Sequence, residues 1–116
     1  MAHYMLLLHH TTGDQPDLSP EEIQGVIAKY REWSEHMGAA GKLVGGDKLA
    51  ADAGRVLRMA DDRVSVVDGP YSETKEIVGG YFMIDAADYD DAVEIAGTCP
   101  HLSFGGTIEL RAVDQM

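Results

Sequence analysis

The sequence predicts a single α+β domain spanning residues 1–116, and three observations support this fold class. A length of 116 residues suits one domain with its own core. Segments with strand patterns and segments with helix patterns alternate along the chain, without linkers or repeats. Both predicted helices begin with a capping residue followed by an acidic residue three positions on.

Six segments carry strand patterns. The first and fifth are apolar on both faces, which is typical of strands inside a covered sheet, whereas the last alternates apolar and charged residues. The third and fourth are joined at Asp61-Asp62 and form a predicted hairpin. The predicted strands are His3 to His9, Lys42 to Leu49, Arg55 to Met59, Arg63 to Val67, Gly80 to Asp85 and Thr107 to Val113.

Two helices are predicted between these strands. The first follows a loop and starts at Ser19-Pro20-Glu21-Glu22, which combines a capping serine, a proline at the first helical position and a capping-box glutamate. Gly38 and Gly41 mark its end, and Asp88 caps the second helix. The residues expected to face inward are Ile23, Val26, Ile27, Tyr30, Trp33 and Met37 on the first helix and Tyr89, Ala92, Val93 and Ala96 on the second.

With the hairpin treated as an insertion, this order is the ferredoxin-like split β-α-β arrangement, an antiparallel sheet with two helices on one face. The helices leave the other face of the sheet uncovered. Leu6 and Leu8 nevertheless point one way along the first strand while Met5 and Leu7 point the other. A sheet that is apolar on both sides needs a second layer, so we expect a homodimer paired face to face.

The charge and the cysteine count narrow the functional class. The formal net charge is −11, which disfavours general binding to nucleic acids or to anionic membranes. The N-terminal apolar run is too short to span a bilayer and lacks the features of a signal peptide. Cys99 is the single cysteine, so the chain has no internal disulfide, and we expect a cytoplasmic protein.

Several segments together carry a family resemblance. The nine residues from Asp68 to Glu76, DGPYSETKE, resemble the motif that names the DGPF proteins of the YCII-related superfamily, with Tyr71 in place of the usual phenylalanine. Gly79-Gly80-Tyr81-Phe82 follows at the spacing seen in that family. The other matching segments are Tyr4 to Leu8, Gly41 to Gly46 and Gly105 to Arg111.

This resemblance implies a dimeric α+β barrel of ferredoxin-like subunits. It also implies a possible regulatory role, because many DGPF proteins are encoded beside, or fused to, extracytoplasmic-function sigma factors. Classical YCII-like proteins are proposed to be enzymes that use a His–Asp pair. The position of that histidine, in the first helix, holds Tyr30, and the position of the aspartate, before a proline, holds Cys99. Neither member of the pair is therefore present.

The loop from Asp68 to Glu76 is the densest group of polar residues. In a functional interpretation Asp68 or Glu73 is a general base, and Lys75 holds an anion or stabilises negative charge. In a structural interpretation Asp68 accepts backbone hydrogen bonds in a turn that Pro70 stiffens, and Glu73 pairs with Lys75. The residues alone leave both interpretations open.

His101, after the second helix, is the best single acid–base candidate, because imidazole titrates near neutral pH. The alternative is a loop histidine at the surface or bonded to the backbone. Candidates for lining a ligand pocket are Tyr30, Trp33, Tyr71 and Tyr81, although aromatic residues at core spacing usually belong to the core. No ligand spacing for a metal and no cofactor motif is present, so we predict neither.

Two functions follow as expectations. The first is a dimeric protein that binds or transforms a small molecule in a pocket near the Asp68–Glu76 loop. The second is a non-catalytic regulatory module that acts with an extracytoplasmic-function sigma factor. The sequence leaves open whether the protein is an enzyme.

Overall fold

The computed structural model describes residues 2–11, 18–50, 52, 54–69 and 76–114. All six predicted strands and both predicted helices are confirmed, and one further short helix follows the second. The elements are β1 (Ala2–Thr11), α1 (Pro20–Ala39), β2 (Leu43–Lys48), β3 (Arg55–Ala60), β4 (Arg63–Asp68), β5 (Glu76–Ala86), α2 (Tyr89–Gly97), α3 (Pro100–Ser103) and β6 (Thr107–Ala112).

Four strands form one antiparallel sheet in the order β2-β5-β1-β6, while β3 and β4 form a separate two-stranded sheet. This order confirms the ferredoxin-like arrangement with an inserted hairpin. Strand β5 begins four residues earlier than predicted, at Glu76, because the pairing with β1 continues past a bulge. The register passes from Leu8 opposite Gly80 to His9 opposite Val78, so Gly79 is the extra residue.

The core lies between the helices and one face of the sheet. On the β1–β5 ladder Leu6 lies opposite Phe82 and Ile84 lies opposite Tyr4, and both Leu6 and Ile84 are fully buried. The Trp33 ring of α1 packs on Phe82, with ring centroids 4.9 Å apart. The remaining buried residues are Tyr4, Leu8, Met37, Ala86, Ala92, Ile95, Ala96 and Cys99.

The opposite face of the four-stranded sheet carries Met5, Leu7, Tyr81 and Met83, which are all partly exposed. Side chains along β1 and β5 therefore point to the two faces as predicted. One face is covered by helices, and the other is uncovered in the single chain. The second copy expected to cover this face stays a prediction.

Four residues predicted to face inward are exposed instead. Ile23 and Ile27 are 45% and 42% exposed, because α1 is about 30 Å long and buries only Trp33 and Met37, both in its second half. Val93 is 58% exposed, since the buried stripe of α2 runs through Ala92, Ile95 and Ala96.

The fourth residue, Tyr89, has a specific position at the edge of the sheet. Its ring packs edge-on against Tyr4, with centroids 4.9 Å apart, and its hydroxyl accepts a hydrogen bond from the Ala112 amide at 2.8 Å. It remains 49% exposed. None of the helices in the described ranges has the length and apolar character that crossing a membrane requires.

Candidate functional site

Residues that could take part in acid–base chemistry lie together at one end of the four-stranded sheet. Here β1 ends at Thr11 opposite Glu76, the first residue of β5, and β6 begins at Thr107 opposite His9. The short helix α3 places His101 over this end of the sheet, on the face that the helices cover. We call this group, consisting of Tyr30, His101 and the His9 carbonyl, the Tyr30–His101 site.

Local structure explains why His101 lies there. Cys99 has an extended backbone, and Pro100 occupies the first helical position, so the chain turns directly into α3. The Gly106 amide then donates to the His101 carbonyl at 3.0 Å and closes the turn. The imidazole lies against Gly106 so closely that a Cβ atom at this position would overlap with the ring. Glycine at position 106 therefore makes the space for His101.

The hydrogen bonds of His101 define its tautomer. Its Nε2 atom lies 2.8 Å from the carbonyl oxygen of His9, which can only accept, so Nε2 carries a proton. In the neutral ring Nδ1 is then an acceptor, and the Tyr30 hydroxyl donates to it at 2.9 Å. His101 is only 9% exposed. The imidazole is thus buried and held at both nitrogen atoms.

Tyr30 is the more exposed member of the pair that it forms with His101. Its side chain is half-buried, and its ring lies 5.9 Å from that of Phe104, which is 42% exposed. Burial raises the pKa of Tyr30 to about 12, with a smaller contribution from the charge of a Cys99 thiolate. The hydroxyl therefore keeps its proton at neutral pH and acts as a donor to His101, while its lone pairs can accept a proton from a ligand.

Cys99 is beside this pair but is not suited to act as a nucleophile. It is 2% exposed, and burial raises the pKa of its thiol, against the smaller opposing effect of the His101 amide. Cys99 is therefore a core residue.

Trp33 is also a core residue. Its indole Nε1 donates to the Thr98 hydroxyl at 2.8 Å, and this hydroxyl donates in turn to the Ile95 carbonyl at 2.7 Å. A groove of about 540 Å³ lies between α1 and the junction of α2 with α3. It is lined by Lys29, Glu32, Trp33, His36, Met37, Thr98 and Pro100. Neither Tyr30 nor His101 lines this groove.

The other candidate residues do not join this site. Asp68 is exposed at the end of the hairpin, where its carboxylate lies 3.4 Å from the Arg55 guanidinium, and no bond links it to His101. Tyr81 lies on the uncovered sheet face and donates to Asp47 at 3.2 Å, a bond that raises the pKa of its hydroxyl. Glu73, Lys75 and Tyr71 lie outside the described residues.

The sequence reasoning identified Tyr30 and His101 separately but missed the bond between them and the acceptor role of the His9 carbonyl. The two side chains are 71 positions apart, so no local pattern links them. Gly105-Gly106 was a usable signal, because a glycine after a short helix can mark a close approach of a side chain. In the described part of the chain, no group of three His, Cys, Asp or Glu residues could hold a metal ion.

A comparison with known proteins places the chain in a family. The model of the YCII-related domain matches residues 2–116. A relative in Rhizobium meliloti (strain 1021), described only as an uncharacterized protein, is 31% identical over 94 residues, which cover 80% of this chain and 76% of the relative. With a family match over nearly its whole length and the ferredoxin-like sheet described above, the chain belongs to the YCII-related domain family.

Proposed function

We propose that this protein binds a small molecule at the Tyr30–His101 site and exchanges a proton with it. The observation that carries the proposal is the hydrogen-bond chain from the Tyr30 hydroxyl through the buried His101 ring to the His9 carbonyl. One end of this chain, Tyr30, is partly exposed, and the other end is fixed in the sheet. Such a chain can take up a proton at Tyr30 and hold it inside the protein.

The proton path follows from the tautomer. A ligand O–H or N–H group donates to the Tyr30 oxygen, and as its proton transfers there, the Tyr30 proton moves to Nδ1 of His101. His101 becomes an imidazolium whose Nε2–H points at the His9 carbonyl, a dipole that stabilises the cation. The reverse transfer returns the proton to the product. Tyr30 itself never has to become a free phenolate, which matters because its pKa is about 12.

The position of the Tyr30–His101 site supports a ligand site near the end of the Asp68–Glu76 loop, where β5 begins. The loop enters the sheet at Glu76, which pairs with Thr11, two residues after His9. Glu73 and Lys75 therefore remain candidates for contacting the ligand. Asp68, bound to Arg55 at the hairpin, is a weaker candidate than the sequence suggested.

The test is a thermal-shift screen against a library of small metabolites, using the wild type, Tyr30→Phe and Tyr81→Phe. Both variants remove one tyrosine hydroxyl. Tyr81 binds Asp47 on the uncovered sheet face, so Tyr81→Phe is the matched control once sedimentation equilibrium shows that it associates like the wild type. A ligand of the site raises the melting temperature of the wild type and of Tyr81→Phe but has a much smaller effect on Tyr30→Phe. A ligand that shifts all three proteins equally would bind elsewhere and contradict the proposal.

A homodimer formed through the uncovered sheet face is part of the proposal. The uncovered face supports it, because its apolar side chains are partly exposed in the single chain: Met5, Leu7, Tyr81 and Met83. The Nδ1 atom of His9 also supports it, because this atom is buried without a hydrogen-bond partner among the described residues, and a second copy would supply one. Sedimentation equilibrium tests this pairing. Association with a sigma factor stays a prediction, and it requires that purified partners bind each other at low salt.

A further inference from the structure

A second, smaller hollow adjoins the groove between α1 and the junction of α2 with α3. It has a volume of about 220 Å³ and is lined by Met37, Lys42, Asp91, Glu94, Ile95 and Thr98. Met37 and Thr98 line both this hollow and the groove of about 540 Å³, so the two spaces adjoin. We call the smaller space the α2 hollow. Neither Tyr30 nor His101 lines it, so it is distinct from the Tyr30–His101 site.

The floor of the α2 hollow is apolar. Met37 and Ile95 are 7% and 3% exposed, so each contributes a small patch of side-chain surface. The Thr98 hydroxyl accepts a hydrogen bond from the Trp33 indole at 2.8 Å and donates one to the Ile95 carbonyl at 2.7 Å. Its proton and one of its lone pairs are therefore already used. The polar groups of a ligand in this hollow would be bound mainly by the charged side chains at the rim.

The rim of the α2 hollow carries opposite charges on its two sides. Asp91 and Glu94 are three residues apart on α2 and so lie on the same side of this helix. Lys42 lies between α1 and β2, and its backbone is fixed there. Its amide donates to the Met37 carbonyl at 2.9 Å, and its carbonyl accepts from the Asp85 amide at 2.8 Å. The hollow thus has an ammonium group on one side and carboxylates on the other.

The opposite charges of the rim do not neutralise each other. In the described part of the chain, neither Lys42 nor Glu94 forms an ion pair, although both line the same small hollow. A ligand that displaces water from this space strengthens the attraction between its own charges and those of the rim, because the local dielectric constant falls. A ligand with one positive and one negative charge complements both sides at once.

We propose that the α2 hollow binds the charged end of a free α-amino acid with a large apolar side chain. The ammonium group of this ligand contacts Asp91 and Glu94, and its carboxylate contacts Lys42. Its side chain extends over Met37 into the larger groove, towards Trp33. Both charges must lie close together to fit a space of about 220 Å³, and an α-amino acid carries them on one carbon atom. The end of a peptide chain carries only one of the two charges and does not match.

Titration calorimetry of the wild type tests the need for both charges. Three probes share a phenyl ring: L-phenylalanine has both charges, phenethylamine has only the ammonium group, and 3-phenylpropionate has only the carboxylate. We expect L-phenylalanine to bind at least about tenfold more tightly than either analogue, because each analogue loses one charge-assisted contact. Equal binding of the three probes, or no binding of L-phenylalanine up to millimolar concentrations, would overturn the proposal.

A matched pair of variants tests the location. Glu94→Gln removes a carboxylate from the rim, whereas Glu35→Gln removes an exposed carboxylate on α1 that lines neither the hollow nor the groove. We expect Glu94→Gln to raise the Kd for L-phenylalanine about tenfold and Glu35→Gln to change it less than about twofold. Equal effects of the two variants would refute the location. Tyr30→Phe should bind L-phenylalanine like the wild type, and a loss of binding in this variant would assign the amino acid to the Tyr30–His101 site and overturn the proposal.

Discussion

Replacement of Gly106 by alanine tests the geometry of the Tyr30–His101 site with a single methyl group. Three ring atoms of His101 lie where the new Cβ would be placed, so the imidazole must move. The ring cannot move freely, because Tyr30 holds one nitrogen and the His9 carbonyl holds the other. We therefore expect Gly106→Ala to break at least one of these bonds.

The expected loss of stability follows from the broken hydrogen bonds and from the added methyl group. Each neutral hydrogen bond contributes about 1 kcal/mol, and an added carbon in a packed region costs about 1–3 kcal/mol. Gly106→Ala should therefore lower the free energy of unfolding by about 2–4 kcal/mol. In a domain of this size the melting temperature would fall by roughly 10 °C.

Urea denaturation followed by circular dichroism measures this loss, and two comparisons identify its cause. Gly25→Ala, on α1 with no atom within 4 Å of the new Cβ, should instead stabilise the protein by up to about 1 kcal/mol. In a His101→Ala background most of the cost of Gly106→Ala should disappear, because the overlapping ring is absent. An equal cost in both backgrounds would refute the proposed packing of His101 on Gly106.

Three further predictions use the same structure. The thiol of Cys99 should react with a disulfide reagent at neutral pH only as fast as the protein unfolds, since it is 2% exposed and burial raises its pKa; rapid stoichiometric labelling of the native protein would contradict this. Ser19→Ala should cost about 1 kcal/mol, because the Ser19 hydroxyl accepts from the Glu22 amide at 3.1 Å in a capping box; an unchanged urea midpoint would contradict this. Because Tyr30 has a folded pKa of about 12, above the value near 10 of an unfolded tyrosine, its contribution to stability is complete below pH 10 and is lost as the pH rises towards 12. This loss is about 1 kcal/mol for a half-buried group, and a Tyr30→Phe protein with an unchanged alkaline stability profile would refute it.

The fold was predictable because its signals are local and consistent. The capping box at Ser19, the alternation along β1 and the turn at Asp61-Asp62 each depend on a few adjacent residues. The predictions of buried residues were wrong where burial depends on contacts between elements that are distant in the sequence. Ile23 has helical spacing like Trp33, but no element in the described part of the chain covers the first half of α1, so the same pattern leaves one residue exposed and the other buried.

The site was only partly predictable for the same reason. The sequence indicates that His101 is suited to proton transfer, but burial and the tautomer depend on Tyr30 and the His9 carbonyl, which come from two other elements. The sequence also offered Asp68 as a candidate general base, because it lies in the densest group of polar residues. Asp68 is the last residue of β4, opposite Arg55, and the structure of the hairpin rather than the motif determines its partner.

The bond between Tyr30 and His101 also explains how this chain differs from its classical YCII-like relatives. The resemblance assigns a histidine to the position of Tyr30 and an aspartate to that of Cys99. In this chain the donor is the Tyr30 hydroxyl and the acceptor is Nδ1 of His101, two residues beyond Cys99. The Tyr30–His101 pair contains no carboxylate, unlike the His–Asp pair that the resemblance implies for those relatives. A neutral acceptor does not repel an anionic ligand and becomes a cation when it takes up a proton. If the site binds a ligand as proposed, we therefore expect it to prefer acids whose conjugate base is an anion, which a carboxylate in the same place would repel.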